Sequence, residues 1–207
     1  MKKLFIVFDG PEGAGKTTQA KFLFDYLKSK NYKVVLTREP GGTKVSEAIR
    51  KIILSTKYNI TPLTELLLYE AARAQHVEDV IIPSLKKGKI VICDRFYYST
   101  IVYQGYARNL DIKVIEKLNK LILGNTKPDI VFLLDVPAKE GLKRVKNTKK
   151  KFDRLENEDL NFHKKIREGY LKIFKNKKNF YIINTKNKTP YQTHQEIVEI
   201  LNSKFNL

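Results

Sequence analysis

The sequence predicts a three-layer α/β/α fold in which a five-stranded parallel sheet is flanked by helices on both faces. Three observations predict it: five short apolar runs alternate with segments of helical periodicity, a glycine-rich loop joins the first run to the first helix, and polar residues follow the runs directly. Such continuously apolar strands are buried on both faces, as in parallel sheets. Ligands of these sheets bind beyond the carboxyl ends of the strands, so the polar residues there are the candidate site.

Each element can be placed from its spacing. The apolar runs predict strands at 4–8, 33–37, 89–93, 130–134 and 180–183. In the first helix Ala20, Leu23, Phe24 and Leu27 share one face. Helical patterns predict helices at 16–30, 44–55, 63–87 with a bend before Pro83, 97–107, 111–123, 138–146, 157–176 and 191–204. Because no repeat or linker divides the sequence, we expect one domain over residues 1–207.

The glycine-rich loop lies between the first strand and the first helix. Residues 10–17, GPEGAGKT, match the P-loop pattern G-x-x-x-x-G-K-[ST]. Glycines there let backbone amides close around phosphates at a helix N-terminus, while Lys16 reaches the β- and γ-phosphates and the Thr17 hydroxyl binds Mg²⁺. The sequence therefore predicts a binding site for ATP with Mg²⁺. Its predicted residues are Gly10, Pro11, Glu12, Gly13, Ala14, Gly15, Lys16, Thr17 and Thr18.

Composition excludes several classes of protein. With 207 residues, 42% of them hydrophobic, the chain can bury a core and is too apolar for intrinsic disorder. Its apolar runs are far shorter than a membrane span, and the N-terminal run ends at Asp9 without a signal-peptide cleavage site. The single cysteine, Cys93, excludes an internal disulfide framework and fits a reducing compartment. We therefore expect a cytoplasmic protein with no membrane partner.

The net charge of +18 invites a nucleic-acid interpretation. Residues 139–188 carry 17 basic and 6 acidic side chains, so the excess is concentrated in one stretch. Such a stretch is more often a solvated face or a mobile loop than a specific site. The sequence contains nothing that resembles a base-stacking platform or a recognition helix, so we expect no specific nucleic-acid partner.

Arginines mark the second half of the candidate site. The chain has only eight, and Arg38, Arg73 and Arg95 fall at or near loops that follow the predicted strands. Guanidinium groups suit phosphate oxygens and nucleobase acceptors, although ordinary surface ion pairs are the alternative. Asp94 follows the third strand, either as a second carboxylate beside the magnesium ion or as the structural partner of an arginine.

Four further motifs lie in order along the chain: REPGGT at 38–43, YEAAR at 69–73, DRF at 94–96 and ST..YQG at 99–105. Together with the phosphate loop they resemble the thymidylate kinase family over nearly the whole chain. The resemblance implies transfer of the γ-phosphoryl group of ATP-Mg²⁺ to dTMP, and a homodimer formed through long helices beside the sheet. Another P-loop kinase of nucleosides or nucleoside monophosphates is the alternative enzyme. A nucleic-acid-stimulated ATPase is the alternative from a different class.

The resemblance also assigns residues to the phosphate and sugar of dTMP. Arg38 and Arg95 match arginines that bind the phosphate. Asp9 matches a carboxylate near the 3′-hydroxyl that helps to hold magnesium, and Tyr103 matches a ring that leaves no room for a ribose 2′-hydroxyl. A bound phosphomonoester is mostly dianionic at pH 7, so we expect no strong general base. The implied dTMP-binding residues are Asp9, Arg38, Glu39, Pro40, Tyr69, Arg73, Arg95, Ser99, Thr100, Tyr103 and Gln104.

Other residues of that set are implied to bind the base. Tyr69 takes the position of an aromatic residue, usually Phe, that stacks on thymine. Arg73 matches the arginine that meets the thymine O4. Thr100 and Gln104 match residues that hydrogen-bond the base, and Pro40 is expected beside the thymine methyl group.

Residues 141–154 match the lid of the family, a mobile segment over the phosphates. Some family members carry an arginine in the phosphate loop and others supply it from the lid; Glu12 is acidic here, which implies the second arrangement. Arg154 is the first expected cation and Arg144 the second, with one lysine assisting. The candidate lysines are Lys146, Lys149, Lys150 and Lys151. The expected catalytic residues are Asp9, Lys16, Arg95, Arg144 and Arg154.

The remaining reactive residue types are expected to be structural. Cys93 ends an apolar strand and is expected as a small core residue rather than a nucleophile. The histidines lack partners at metal-ligand spacing and are expected at the surface or in packing positions: His76, His163 and His194. Asp135 is expected to be structural, and the turn at Asn184–Thr185 is expected to border the ATP adenine.

Overall fold

Five parallel strands form the central sheet in the computed structural model, which describes residues 3–148, 151–175 and 177–207. The strands are β1 Leu4–Asp9, β2 Val34–Arg38, β3 Ile90–Asp94, β4 Ile130–Asp135 and β5 Phe180–Asn184. Their order across the sheet is β2-β3-β1-β4-β5, and each neighbouring pair is parallel. The loop after β1 therefore lies between the ends of β3 and β4. The predicted parallel sheet is confirmed.

Helices connect the strands in the predicted order. They are α1 Lys16–Ser29, α2 Lys44–Leu54, α3 Pro62–His76, α4 Ile82–Lys86, α5 Tyr97–Thr100, α6 Ile112–Leu123, α7 Ala138–Thr148, α8 Leu160–Phe174 and α9 Pro190–Phe205. Wide π-helical turns join α3 to α4 at Val77–Ile81 and continue α5 at Ile101–Ala107. The predicted bend before Pro83 therefore falls at a real irregularity in the helical segment.

Alternating side chains of each strand face two separate cores. Phe5 and Val7 of β1 pack into one core with the π-helical turns, α5 and α8. Ile6 and Phe8 point the other way and pack against α1 and α9. Because successive strand residues face opposite sides, burial on both faces gives the continuously apolar runs seen in the sequence. The three-layer fold is confirmed.

Side-chain caps fix where several helices begin. Thr43, Asp111, Asp159 and Thr189 each accept a hydrogen bond from a backbone amide in the first turn of the helix that follows. Helix α1 is different because its N-cap residue is Gly15, which has no side chain. No side chain caps the amides of its first turn, and that helix end lies on the wall of the candidate site.

Candidate active site

The loop between β1 and α1 has the geometry of a phosphate-binding loop. Gly15 adopts a left-handed conformation with φ of 94°, so the chain turns into α1 with backbone amides facing outward. Lys16 is buried and its Nζ donates to the Pro11 carbonyl at 2.6 Å. Burial and the neighbouring charge of Arg95 lower the pKa of Lys16 to about 8. Backbone amides and a buried ammonium group together suit a phosphate anion.

Two glycines bring this loop into backbone contact with α7. A Cβ on Gly13 would lie 2.0 Å from the Gly141 carbonyl oxygen, and a Cβ on Gly141 would lie 2.2 Å from the Glu12 carbonyl oxygen. Any side chain at either position would push the two segments apart. Since Gly141 begins the predicted lid segment, residues 141–154, the phosphate loop and that segment are directly coupled.

A cavity of about 670 Å³ runs along this edge of the sheet, a volume suited to a substrate site. Its wall includes most of the predicted residues: Glu12, Gly13, Gly15, Lys16, Thr17, Thr18, Arg38, Glu39, Pro40, Tyr69, Arg73, Asp94, Arg95, Ser99, Thr100, Tyr103, Gln104 and Arg144. Among the residues that the structure describes, the following predicted catalytic and substrate-binding residues lie off this wall: Asp9, Gly10, Pro11, Ala14 and Arg154. The cavity therefore joins the phosphate loop and the REPGGT, YEAAR, DRF and ST..YQG motifs.

Thr17 and Asp94 meet below the phosphate loop. The Thr17 hydroxyl donates to Asp94 Oδ2 at 2.5 Å, and both residues face the cavity. A hydroxyl and a carboxylate are the hard oxygen ligands that Mg²⁺ accepts, with waters and nucleotide phosphates completing its octahedron. Within the described residues no cluster of three or more histidine, cysteine or acidic side chains offers a metal cage. The donors present thus fit a magnesium ion shared with phosphates rather than one enclosed by protein.

Asp9 lies behind the cavity wall. Its fully buried carboxylate accepts hydrogen bonds from Ser99 Oγ at 2.6 Å, Tyr170 Oη at 2.7 Å and the Phe96 amide at 3.3 Å. Burial raises its pKa, although the charge of Arg95 opposes that effect. In this geometry Asp9 supports the DRF turn, and the direct contacts expected with magnesium and dTMP stay predictions.

Arg95 occupies the centre of the wall in a constrained conformation. Its φ of 70° is uncommon for a residue with a long side chain, and such outliers concentrate at functional sites. The guanidinium donates to the Gly10 carbonyl at 3.0 Å and to Glu12 at 3.2 Å, and it lies 5.2 Å from the centre of the Tyr103 ring. The side chain keeps 21% exposure, so it can meet a ligand from the cavity.

Glu12, in the phosphate loop, has three hydrogen-bond partners at its carboxylate. The Tyr103 hydroxyl and Arg95 contact one carboxylate oxygen, and His163 Nδ1 lies 3.3 Å from the other. Burial alone would raise the pKa of Glu12, but the His163 hydrogen bond and the charges of Arg95 and Lys16 lower it to about 2. Glu12 therefore remains a carboxylate that holds Arg95 and Tyr103 in place.

Arg73 is surrounded by acceptors beneath the other part of the cavity. Its Nε donates to Glu39 at 2.8 Å, Nη1 donates to Glu70 at 2.7 Å and to Asn119 at 3.1 Å, and Nη2 donates to Thr100 at 2.8 Å. The side chain is only 2% exposed, yet it contributes to the cavity wall. An arginine has five N–H donors, so these four bonds leave one N–H on Nη2 for a ligand.

The other predicted base-binding residues lie around Arg73. Tyr69 and Pro40 line the cavity, and Gln104 Nε2 donates to Glu65 at 2.7 Å, which leaves the Gln104 side chain fixed at the wall. Arg38 is more exposed and forms a salt bridge with Glu47 at 3.0 Å. Arg38 therefore retains conformational freedom that the buried Arg73 lacks.

The two predicted lid arginines have different surroundings. Arg144 lines the cavity, where Nη2 donates to the Thr185 carbonyl at 3.0 Å and Nη1 approaches the Gly13 carbonyl at 3.5 Å. Arg154 instead donates to the Ile53 carbonyl at 2.8 Å and lies 2.5 Å from Glu65. Lys146 and Lys151 are exposed, while Lys149 and Lys150 lie outside the described residues. Geometry thus favours Arg144 over Arg154 as the cation beside the phosphate loop.

A second, smaller cavity lies beside the turn that follows β5. Thr185, Lys188, Pro190 and Gln19 line a small cavity of about 60 Å³ next to Arg144. Because β5 is the edge strand opposite β2, this region lies on the far side of the phosphate loop from Arg38 and Arg73. That the Asn184–Thr185 turn borders adenine stays a prediction.

The expectation for two histidines needs correction. His76 and His163 are buried and contact the site carboxylates Glu39 and Glu12, so they are neither surface residues nor simple packing residues. Sequence periodicity cannot reveal these contacts because they join residues 37 and 151 positions apart. His194 does pack as expected, edge-on against two aromatic rings.

The sequence did not point to Arg50, whereas Cys93 and Asp135 have the structural roles expected of them. Arg50 lines the cavity from α2 and donates to the Pro40 carbonyl at 2.8 Å; arginine scarcity was the available signal. Cys93 is fully buried within β3, as expected of a core residue. Asp135 is structural as expected, since Arg167 holds both of its carboxylate oxygens at 2.7 and 2.8 Å.

Comparisons with known proteins agree on one family. The family model for thymidylate kinase matches residues 8–197. A thymidylate kinase of Thermoanaerobacter sp. is 43% identical over 201 residues, which cover 97% of this chain and 98% of that protein, and one of Thermosipho africanus is 49% identical over 180 residues, which cover 87% and 89%. A crystal structure of the Ehrlichia chaffeensis thymidylate kinase is similar with a TM-score of 0.79 and 36% identity, covering 97% of this chain and all of that one.

Proposed function

This chain belongs to the thymidylate kinase family, and on that premise we propose that its cavity aligns ATP and dTMP head to head across the phosphate loop. The enzyme phosphorylates dTMP to dTDP with ATP, a step in dTTP biosynthesis. One observation carries the assignment of residues. The same cavity is lined by the phosphate loop and by the four motifs expected to bind dTMP.

The acceptor needs little activation because its phosphate is already mostly dianionic at pH 7. Catalysis then depends on alignment of two anions and on neutralising the charge of the transferring phosphoryl group. Lys16 and the amides at the start of α1 hold the donor phosphates. Arg95, with Arg38 behind it, binds the dTMP phosphate and holds it in line with the donor.

Thr17 and Asp94 are the residues that would hold Mg²⁺, since their oxygens lie 2.5 Å apart on the cavity wall. Bound magnesium neutralises charge on the β- and γ-phosphates of ATP. The alternative, that Asp94 is the structural partner of an arginine, is less well supported. Among the described residues, the Asp94 carboxylate is hydrogen-bonded to Thr17.

The base of dTMP is assigned to the pocket around Arg73. The free N–H on Nη2 is expected to donate to thymine O4, while Tyr69 stacks on the ring and Thr100 and Gln104 border its edge. Tyr103 stands against the sugar at C2′. Its hydroxyl is held by Glu12, which fixes the ring in that position.

The lid segment is assigned the extra cation. Arg144 is the stronger candidate because it approaches the Gly13 carbonyl, whereas Arg154 is engaged by Glu65. Arg154 serves the phosphates only if it exchanges Glu65 for them when the segment closes. Loss of turnover in Arg154→Ala with normal turnover in Arg144→Ala would contradict this order.

A homodimer is proposed through the outer face of α2, α3 and α6, which pack side by side. This face carries exposed apolar side chains at helical spacing: Val45, Ile52, Leu63, Leu67, Val114 and Leu121. Exposed apolar side chains on packed neighbouring helices are typical of an interface between copies. Analytical ultracentrifugation of the full chain should give a dimer, and a monomer at all concentrations would contradict the proposal.

No helix within the residues that the structure describes combines the length and the apolar character needed to cross a bilayer. We assign the enzyme to the cytoplasm because nucleotide biosynthesis occurs there and the single thiol suits a reducing compartment. Fractionation of cells that express the protein would test this location.

A coupled assay of ADP production tests the function. Given dTMP, dUMP, dCMP and dGMP in turn, the enzyme should prefer dTMP, and preference for another acceptor would overturn the substrate assignment. ATP turnover that requires DNA or RNA and ignores dTMP would favour the nucleic-acid-stimulated alternative. Calorimetry with Lys16→Ala should show dTMP binding without turnover, which separates the acceptor site from the donor site.

A further inference from the structure

His76 lies at the end of α3 with both ring nitrogens engaged. Nε2 is 2.6 Å from the Thr37 hydroxyl, and Nδ1 is 3.1 Å from Glu39 Oε1. The residue is fully buried and does not belong to the cavity wall. With its proton on Nδ1, the ring donates to Glu39 and accepts from Thr37, so one neutral tautomer satisfies both bonds.

Glu39 links His76 to Arg73 through its two carboxylate oxygens. Its Oε1 faces His76 and its Oε2 accepts from Arg73 Nε at 2.8 Å, so two donors fix the plane of the carboxylate. Burial alone would raise the pKa of Glu39, but the charge of Arg73 and the His76 hydrogen bond hold it below its ordinary value. A buried carboxylate with both oxygens occupied has little freedom to release the arginine.

The backbone of the REPGGT loop also rests on His76. A Cβ on Gly42 would lie 2.6 Å from His76 Cδ2 and 2.7 Å from the Thr37 hydroxyl oxygen. Only glycine permits this approach, and its φ of 87° is one that other residues rarely adopt. The imidazole therefore packs directly against the backbone of the loop that places Arg38, Glu39 and Pro40 on the cavity wall.

We propose that His76 is a positioning residue for base selection: through Glu39 it orients Arg73 so that the one free N–H of Nη2 points at the base carbonyl. This rests on the proposed function, in which that carbonyl is thymine O4. Cytosine carries an amino group at the same ring position and cannot accept the N–H. The His76–Glu39–Arg73 relay therefore contributes to the choice of dTMP over dCMP.

Three substitutions at one position separate this role from packing. Asn places its amide nitrogen near the Nδ1 position and keeps donation to Glu39, Gln keeps a group near Nε2 for Thr37, and Leu keeps only bulk. Losing a hydrogen bond to a charged group corresponds to about a tenfold effect. His76→Leu and His76→Gln should raise the dTMP KM by that factor and lower the dTMP-to-dCMP ratio of kcat/KM. His76→Asn should stay within about threefold of the wild type on the same scale.

The KM for ATP serves as the control measurement. It should stay unchanged, because His76, Glu39 and Arg73 do not contact the donor phosphates. An unchanged dTMP KM in His76→Leu, or an equal rise in the KM values for ATP and dTMP, would overturn the proposal. The wild-type rate on dTMP tests the proposed function, while the ratio of variant to wild-type dTMP KM tests the relay, so the two can fail separately.

Nitrogen-15 NMR of the histidines keeps the test decisive if the leucine variant does not fold. Signals are assigned with His163→Gln and His194→Gln, and the wild-type protein is examined with and without dTMP. We expect His76 as the Nδ1–H tautomer, with a proton signal that shifts on addition of dTMP. An Nε2–H tautomer, which leaves Nδ1 without a proton to give Glu39, would overturn the proposal.

Discussion

Arg73 and Arg95, which the proposed function assigns to the base end and the phosphate end of dTMP, are each held by a glutamate that contacts a buried histidine. The two assemblies differ in how many of their hydrogen bonds are made. At the base end, His76 contacts Glu39, which holds Arg73; at the phosphate end, His163 contacts Glu12, which holds Arg95. His76 uses both ring nitrogens, whereas His163 Nε2 is buried without a hydrogen-bond partner among the residues that the structure describes.

The arginines differ in the same direction. Arg73 is 2% exposed and its four hydrogen bonds are 2.7 to 3.1 Å long, whereas Arg95 is 21% exposed with bonds of 3.0 to 3.3 Å. A rigid donor suits recognition of a neutral base carbonyl, where one misplaced hydrogen bond decides selectivity. Looser donors can exchange protein acceptors for a phosphate whose charge develops during the reaction. Under the proposed assignment, the protein holds the base-binding arginine rigidly and leaves the phosphate-binding arginine able to adapt.

The largest effect is expected at the phosphate end. Removing one preorganised donor from a developing charge costs about 10²- to 10³-fold in kcat, so Arg95→Ala should lose turnover by that factor. Steady-state kinetics should show a much smaller change in the KM for ATP. Turnover within threefold of the wild type would show that Arg95 does not act on the reacting phosphate.

The base end should respond mainly in affinity and stability. Arg73→Gln leaves Glu39 and Glu70 buried without their cation, which costs about 3–5 kcal/mol of the free energy of unfolding. Arg73→Lys is the matched control because it keeps the charge and loses the planar fork. We expect thermal unfolding to recover in the lysine variant while the dTMP KM stays raised. Recovery of both would show that the charge alone matters.

The two ends should also separate with pH. The pKa of Lys16 is lowered to about 8, so its side chain is a charged ammonium group below that pH and a neutral amine above it. The value of kcat/KM for ATP should therefore fall about tenfold per pH unit above 8, since it reports groups of the free enzyme. Arg73 stays charged, so dTMP binding measured by calorimetry should remain flat over the same range. Lys16→Arg should remove the break, and a break that persists in that variant would assign it elsewhere.

The smallest effect is expected at His163. With one bond of 3.3 Å to Glu12, it constrains Arg95 less than His76 constrains Arg73. We expect His163→Leu to lower kcat about two- to fivefold, as for a single weak hydrogen bond, with the dTMP-to-dCMP selectivity unchanged. A selectivity loss equal to that of His76→Leu would remove the distinction between the two ends.

The sequence was informative where the physics is local. Strands and most helices followed from hydrophobic spacing, and the scarcity of arginine drew attention to Arg73 and Arg95. Hydrogen bonds between residues far apart in the sequence leave no local pattern, so the sequence alone does not reveal the contacts of His76 and His163 with Glu39 and Glu12. The ion pair of Arg154 with Glu65 has no local pattern either, and the role of Arg154 toward the phosphates stays a prediction.

The most direct test of this account is a crystal structure with dTMP and a nonhydrolysable ATP analogue. We predict that Arg73 keeps Glu39 and Thr100 as acceptors and gives its remaining N–H to thymine O4. Arg95 should exchange Glu12 for the dTMP phosphate in the same structure. A complex in which Arg73 leaves Glu39 to reach the base, while Arg95 keeps all of its protein partners, would contradict the account.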